Sequence, residues 1–193
     1  MPPHSKEARP YLRMAYGWEG ELVRLVPLNK EKHLENAVLW LNDPEVTQWL
    51  LIGDYPLTKL AEEAYFDRFN EVNEKDVAWA IETLEGKHIG FSGLHEINHF
   101  HKTAISGTVL GDKEAWGNGY GTDAARVRAR YAFEVLGLRL ILSGILDGNT
   151  RSLRMQEKVG YQIVGKVPKR FWKRGAYRDQ ILTVLTPETL RAS

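Results

Sequence analysis

The sequence predicts a single domain of mixed α/β class, and three observations support that prediction. Strand-like and helix-like hydrophobic patterns alternate along the chain, with no internal repeat, low-complexity segment or interdomain linker between them. The chain has 193 residues, 43% hydrophobic and 26% charged, which suits one globular domain with a substantial core. A turn with three alternating glycines, residues 116–122, stands between a strand pattern and the best helix pattern.

The first half of the chain contains clear helix starts and a strand pair. Asn29 and Thr58 are suited to cap helices, and Pro44 is suited to a first helical position. Apolar runs on both sides of the turn at 85–87 predict two antiparallel strands. The predicted elements are a strand over 20–28, helices over 30–41, 43–49 and 59–71, and strands over 77–83, 88–97 and 104–110.

The second half begins with the best helix pattern. Its alanines and Phe133 fall on one face, while Arg126, Arg128 and Arg130 lie mostly away from that face. An apolar strand follows, and then a short helix that Gly160 ends. The predicted elements are a helix over 122–136, a strand over 138–145, a helix over 149–159, and strands over 161–167 and 179–185 linked by a basic loop over 166–178.

Charge and composition narrow the possible functions. A formal net charge of +1 gives no overall field towards nucleic acid or a membrane, and no apolar run approaches the roughly 18 residues that span a bilayer. Residues 1–13 contain prolines and charges but no apolar signal core. We therefore expect a flexible lead-in over 1–17, one domain over 18–193 and a cytoplasmic protein. The absence of cysteine excludes disulfides, a cysteine nucleophile and thiolate metal ligands.

The glycine-rich turn predicts a phosphate or pyrophosphate site. Gly117, Gly119 and Gly121 permit positive φ angles and the close approach of another molecule. A turn of this kind before a helix presents several free N–H groups in one direction, and the helix dipole adds partial positive charge there. A dinucleotide-binding turn fits less well, because it needs glycine where Thr122 stands and an early position in a βαβ unit.

Three motifs, in order along the chain, support a family resemblance. They are W-G-N-G-Y-G at 116–121, N-T-R-S at 149–152 with E-K-V-G-Y at 157–161, and the earlier W-L-N-D-P-E-V at 40–46 with Thr58 after Pro56. The first is similar to the pyrophosphate loop [RQ]-x-x-G-x-[GA], with Trp116 in place of the usual Arg or Gln. Together they resemble the GNAT superfamily of acyl-CoA N-acetyltransferases, and within it the Rim-type enzymes, over about residues 21–185.

The resemblance implies a GNAT fold: a mostly antiparallel central sheet, splayed at its middle and flanked by helices. Acetyl-CoA is the implied co-substrate, with no metal, and its pantetheine arm would add to the splayed sheet like an extra strand. The acceptor would be a primary amine of a small molecule or of a protein N-terminus, ribosomal proteins included. The residues implied for coenzyme binding are Val109, Leu110, Gly111, Trp116, Gly117, Asn118, Gly119, Tyr120, Gly121, Thr122, Asn149, Ser152 and Lys158.

Without cysteine, a neutral amine would attack the thioester directly, which requires a base for the ammonium and an acid for the leaving thiolate. The resemblance places a tyrosine acid seven residues after Asn149, where this chain has Gln156, so that assignment fails. Ser152 matches the serine of the second motif and is the candidate acid, although a first-turn serine also satisfies helix N–H groups. Glu96 and His95 are candidate bases acting through water, and a surface position is the alternative for both.

Two other functions stay open. The stretch from His95 to His99 reads H-E-x-x-H, the motif of zinc hydrolases, in which a helix brings both histidines to the metal. Nearby glycines and β-rich neighbours instead predict a strand, which separates the two rings. A non-catalytic acyl-CoA-binding module fits the missing tyrosine and base. We expect a monomer or homodimer that does not bind membranes. The basic loop is expected to be either a solvated hairpin or in contact with an acidic substrate, ribosomal RNA or the coenzyme phosphates.

Overall fold

One sheet organises the molecule in the computed structural model, which describes residues 18–52, 54–69 and 71–191. Its eight strands follow the order β1-β2-β3-β4-β5-β6-β8-β7, and all neighbours are antiparallel except β5 and β6. This confirms the predicted mixed α/β class and mostly antiparallel sheet. The strands are β1 (Trp18–Glu19), β2 (Val23–Pro27), β3 (Val77–Thr83), β4 (His88–Asn98), β5 (Thr103–Leu110), β6 (Leu140–Leu146), β7 (Gln162–Lys173) and β8 (Ala176–Leu185).

Helices cover both faces of the sheet. They are α1 (Lys30–Leu41), α2 (Pro44–Thr47), α3 (Lys59–Asp67), α4 (Tyr120–Arg130) and α5 (Thr150–Val159). The alanines of α4 pack in the main core with apolar side chains of β2, β3 and β4, and α5 lies beside α4 on that face. On the opposite face, α1 and α3 pack together over Phe91 of β4. No helix in the described ranges is both long and apolar enough to cross a membrane.

The predicted helix starts are confirmed by their capping bonds. The Asn29 side chain accepts from the Lys32 N–H at 3.0 Å, and the Thr58 hydroxyl accepts from the Ala61 N–H at 3.1 Å. The sequence does not predict β1, because two residues carry no hydrophobic periodicity. Helix α3 ends at Asp67, four residues earlier than predicted. The predicted lead-in over 1–17 lies outside the described residues.

The stretch 166–178 forms a β-hairpin of two long strands, where the sequence predicts a basic loop or solvated hairpin between shorter strands. Strand β7 continues to Lys173 and β8 starts at Ala176, so only Arg174 and Gly175 form the turn. Both have positive φ, 49° and 80°, as a two-residue hairpin turn requires. The density of charged side chains hides the strand alternation in the sequence.

A buried polar cluster fixes α1 to the sheet. The Nδ1 atom of His33 accepts from the Asn29 N–H at 3.0 Å, so its Nε2–H faces the Glu82 carboxylate at 3.2 Å. His88 lies beside it, with ring centroids 4.5 Å apart, between the Asn36 amide and the Gly90 carbonyl. Burial, and then the neighbouring His33, lower the pKa of His88 to about 4.

This anchoring sets the position of the last turn of α1. The Trp40 indole stacks near His88, with ring centroids 4.7 Å apart, and lies directly on Gly111 just after β5. A Cβ atom at Gly111 would come within 2.0 Å of the indole, so only glycine fits there without displacing Trp40. Helix α1 is thereby packed against the end of the strand that leads into the glycine-rich turn.

We expect His88 to make folding stability depend on pH. A histidine whose pKa is lowered on folding adds stability above about pH 6.5, and that stability is lost as the pH falls from 6.5 towards 4. Between pH 7.5 and 5 the wild type should therefore lose about 2 kcal/mol more unfolding free energy than the His88→Gln variant, as measured by urea unfolding.

The exposed His101 supplies the control for this measurement. A His101→Gln variant should lose as much stability on acidification as the wild type. An equal loss in His88→Gln and wild type would show that His88 is not held neutral by the fold.

Candidate functional site

A gap opens in the sheet between its two parallel strands. β5 and β6 pair over three residues only, and the last pair is Ile105 with Leu142. Beyond that pair, residues 106–110 of β5 and residues 143–146 of β6, all within the described structure, share no backbone ladder. We call this space the gap, and the Ile105–Leu142 pair its vertex.

Side-chain hydrogen bonds next to the vertex replace part of the missing ladder. The Ser106 hydroxyl lies 2.9 Å from the Tyr161 hydroxyl. The Gln156 amide donates to the Ser143 hydroxyl at 2.8 Å, and its carbonyl accepts from the Thr183 hydroxyl at 2.6 Å. Gln156 is therefore buried and bonded on both sides of its amide, in the position where the resemblance places a tyrosine acid.

Arg128 of α4 holds the β5 side of the gap. The sequence pattern assigns it mostly to the exposed side of the helix, yet it is only 2% exposed. One terminal nitrogen lies 2.6 Å from the Gly107 carbonyl, 2.6 Å from the Thr108 hydroxyl and 2.8 Å from the Ser92 hydroxyl. No carboxylate of the described residues pairs with this buried cation. Its hydrogen bonds thus tie α4 to neighbouring residues of β4 and β5 on the β5 side of the gap.

The glycine-rich turn forms the N-terminus of α4, as predicted. Gly117 and Gly119 have φ angles of 83° and 87°, and Gly119 is the N-cap without a side-chain bond to the helix. The backbone N–H groups of residues 117–121 donate to no acceptor among the described residues. The Thr122 N–H instead donates to the Gly119 carbonyl at 3.0 Å. This cluster of free donors at a helix N-terminus can bind phosphate groups.

Trp116 joins the turn to both β5 and α5. Its indole N–H donates to the Leu110 carbonyl at 2.8 Å, and the Gly111 N–H donates to the Ile89 carbonyl at 3.1 Å. The guanidinium of Arg151 lies 4.8 Å from the Trp116 ring centroid, within cation–π range. Trp116 occupies the position where the resemblance expects Arg or Gln, and Arg151 brings a positive charge to the same place from α5.

Two of the predicted residues of α5 meet the gap, and the third lies elsewhere. Asn149, just after β6, caps α5 by accepting from the Ser152 N–H at 3.1 Å, so both stand at the helix N-terminus. Lys158 lies near the other end of α5, eight residues from the first turn, or about 12 Å along the axis. Its carbonyl accepts from Arg126 at 3.2 Å.

The two candidate bases lie at the far end of β4 from the glycine-rich turn. His95 pairs with Ile105 at the vertex, and Glu96 is an exposed bulge residue with a φ angle of 51°. The Nδ1 atom of His95 lies 3.1 Å from the Asp76 carboxylate. Five residues of β5, about 17 Å of strand, separate this level from Leu110.

The H-E-x-x-H stretch is not helical. Strand β4 runs through Asn98, which confirms the predicted strand and separates His95 from His99. His99 Nε2 lies 2.9 Å from the Glu74 carbonyl. Across the described ranges, no group of three or more His, Cys, Asp or Glu side chains is arranged to hold a metal ion.

The face of the sheet opposite α4 carries an aromatic and apolar cover. Residues 48–52 follow α2 and lie over the C-terminal end of β6. The Leu51 side chain packs against Gly144, 3.4 Å from the position that a Cβ atom would take there. The Trp49 ring packs against Gly148 in the same way, at 3.5 Å. With Trp40 over Gly111, this cover flanks the gap on both sides.

The β7–β8 hairpin docks onto the same cover through charged side chains. Lys173, 6% exposed, contacts the Asp54 carboxylate and the Ile52 carbonyl, both at 3.0 Å. Arg174 donates to the Thr47 hydroxyl at 3.1 Å and lies 3.5 Å from Asp54. The hairpin and the cover leave a small cavity of about 70 Å³ beside the end of β6, lined by Gln48, Trp49, Leu146, Lys173, Arg174 and Arg178.

Comparison with known proteins identifies the chemistry that such a gap serves. Residues 23–162 match the family model described as an acetyltransferase (GNAT) domain. The spermidine N(1)-acetyltransferase of Escherichia coli K12 is 30% identical over 159 residues, which cover 82% of this chain and 83% of that enzyme.

Solved structures share the fold at lower identity. The spermidine N-acetyltransferase of Vibrio cholerae, in complex with CoA and spermine, superposes with a TM-score of 0.79 at 19% identity, over 86% of this chain and 96% of that chain. Mycobacterium smegmatis RimJ, in complex with CoA-disulfide, gives a TM-score of 0.74 at 20% identity, over 89% and 85% of the respective chains. At these identities the two structures show a common fold.

Removal of the Arg128 hydrogen bonds should weaken the β5 side of the gap. An Arg128→Met variant removes the hydrogen bonds to the Gly107 carbonyl and to the Ser92 and Thr108 hydroxyls, which should lower the free energy of unfolding by about 1–3 kcal/mol in urea. The partly exposed Arg126 on the same helix makes one bond, to a carbonyl at 3.2 Å, so Arg126→Met is the matched control and should cost less than ~1 kcal/mol. Equal stability of Arg128→Met and wild type would contradict the role given to Arg128.

Proposed function

The chain belongs to the GNAT acetyltransferase family, and from that premise we propose where its two substrates bind and which residues act on them. The reaction is transfer of the acetyl group of acetyl-CoA to a primary amine. The observation that supports this function best is the gap, which ends beside a helix N-terminus with free N–H donors.

The donor set at the N-terminus of α4 fits a pyrophosphate. The N–H groups of residues 117–121 would bind its oxygens, and both positive-φ glycines keep side chains out of their way. Arg151, stacked on Trp116, adds a cation that suits phosphate oxygens. We propose this pair in place of the Arg or Gln that the family usually has at position 116.

The gap suits the long, thin arm of the coenzyme. Its amide groups can bond to the strand edges that β5 and β6 leave unpaired, in the manner of an added strand. Following the family resemblance, we assign this role to Val109, Leu110 and Gly111 on one side and to Asn149 on the other; Trp116 already engages the Leu110 carbonyl, and Ile89 engages the Gly111 N–H. The Asn149 carbonyl oxygen caps α5, and its amide nitrogen makes no bond within the described part of the chain, which leaves it available to the arm.

We propose that the acceptor amine enters from the opposite face, beneath Trp40 and residues 48–52. Acetyl-CoA supplies the activated acetyl group, and the chain must orient the amine and manage two protons. Ser152, next to Asn149 at the start of α5, is the proposed acid for the leaving thiolate. Glu96 and His95 stay the proposed bases, and their position at the vertex requires that they act through water.

Spermidine and peptide N-termini are the first acceptors to test. The Escherichia coli relative is named for spermidine, and the Rim-type resemblance points to protein N-termini. Both offer a primary amine that can attack the thioester only after losing its proton.

Release of coenzyme A tests the proposal directly. Because the chain has no cysteine, a thiol-reactive dye reports coenzyme A without background from the protein. We expect amine-dependent release by the wild type. Gly119→Glu places a carboxylate at the phosphate site and should lower kcat/KM for acetyl-CoA by about 10- to 100-fold, the value of one charge-assisted hydrogen bond. Asn149→Ala should also lower it.

Gly86 supplies a matched control for backbone strain. Its φ angle is 90°, close to the 87° of Gly119, and it lies in the β3–β4 turn with open space around it. Gly86→Glu should therefore carry the same strain and charge without losing activity. Release that survives Gly119→Glu would contradict the coenzyme site, and acetyl-CoA binding without any release would favour a binding module.

A further inference from the structure

Three cationic side chains line the cavity beside the end of β6. Lys173, Arg174 and Arg178 line it, and Asp54 is the one carboxylate among the described residues that pairs with any of the three. Leu146 and Trp49 provide its apolar surface. The cavity therefore presents two uncompensated positive charges next to an apolar wall.

The carboxylates on the surrounding elements are already paired. Asp54 contacts Lys173 and Arg174 from the hairpin. The other pairs are Asp43 and Glu45 with Lys113, at 3.0 and 2.9 Å, and Asp147 and Asp179 with Lys166, at 2.6 and 2.9 Å. Each of these two lysines serves two carboxylates, so one negative charge stays uncompensated at each of them, outside the residues that line the cavity.

Arg178 is the residue free to bind a ligand. It is exposed, and no residue of the described structure forms an ion pair or hydrogen bond with it. It lies two positions before Gln180 on β8, on the same face of the sheet. Gln180 pairs with Leu146, is 6% exposed, and its side-chain carbonyl oxygen is buried without a hydrogen-bond partner in the described structure. The wall beside Leu146 thus contains a cation that has no partner among the described residues, together with a buried acceptor that suits an N–H or O–H donor of a ligand.

We propose that the acceptor of this enzyme is an amine that carries an anionic group of its own, a carboxylate or a phosphate, bound by Arg178 and Arg174. The proposal rests on the proposed function, since it names the class of amine that reaches the same site. A guanidinium matches the two oxygens of such an anion, and the apolar part of the acceptor packs on Trp49 and Leu146. The same cations repel a polyamine, so the site selects by charge in both directions.

Pairs of acceptors that differ in one charge test this selectivity. An N-terminal Asp dipeptide amide and its Asn counterpart differ in one charge on side chains of nearly the same size, and phosphoethanolamine and ethanolamine form a second pair. Spermidine is the cationic competitor. We expect kcat/KM of the wild type to favour the anionic member of at least one pair by about tenfold or more. The pair that shows the preference distinguishes a carboxylate from a phosphate.

Variants of the hairpin assign the preference to the cavity. Arg178→Gln should bring the ratio of anionic to neutral acceptor close to one, and Arg178→Glu should shift the preference towards spermidine. Arg170, exposed on the neighbouring strand and stacked on Phe171 outside the cavity, is the matched control. Arg170→Gln should keep both the rate and the ratio.

The outcomes distinguish a failure of the proposed acceptor preference from a failure of the proposed acetyltransferase function. Turnover of spermidine in preference to every anionic amine would overturn the inference and leave the acetyltransferase in place, as would an anionic preference that Arg178→Gln retains. No coenzyme A release with any acceptor would overturn the proposed function and the inference together.

Discussion

The early end of one parallel strand pair determines the rest of this architecture. β5 and β6 stay paired only as far as Ile105 and Leu142, so the sheet contains two internal edges instead of a closed ladder. Backbone groups at such edges must find other partners, because an unpaired buried group is costly. The Ser143 hydroxyl donates to the Ser106 carbonyl next to the Ile105–Leu142 pair, and the Trp116 indole N–H donates to the Leu110 carbonyl farther along β5. The rest of the gap stays open and ends beside the N-terminus of α4.

We assign the two substrates to opposite faces of the gap. The coenzyme elements, α4, α5 and the glycine-rich turn, belong to the main core, whereas the acceptor cover is built on α1, α2 and the hairpin. The two halves meet at a few contacts, above all Trp40 on Gly111 and the hairpin lysine and arginine on Asp54. Substitutions in the cover and the hairpin could therefore change the acceptor that is bound without changing the residues that are proposed to bind the coenzyme.

The sequence predicts structure best where a residue type has one common local conformation or hydrogen bond. Positive-φ glycines before a helix and an asparagine at a helix start predict their own geometry, and the structure has both. Prediction from the sequence fails where a distant partner decides. The burial of Arg128 depends on acceptors of β4 and β5 that are distant from it in sequence, and the β7–β8 strands depend on pairing that a run of charged residues conceals. The stacking of Arg151 on Trp116 joins α5 to the turn before α4, and local pattern cannot reveal it.

The open gap also leaves strand edges free in the protein without bound coenzyme. Free strand edges are templates for pairing with other chains, and natural sheets usually cover or interrupt them. Here side chains engage two carbonyls of β5 beside the gap: the Ser143 hydroxyl donates to the Ser106 carbonyl at 3.4 Å, and the Trp116 indole N–H donates to the Leu110 carbonyl at 2.8 Å. In the proposed complex the coenzyme arm would cover the rest of these edges, as an added strand would.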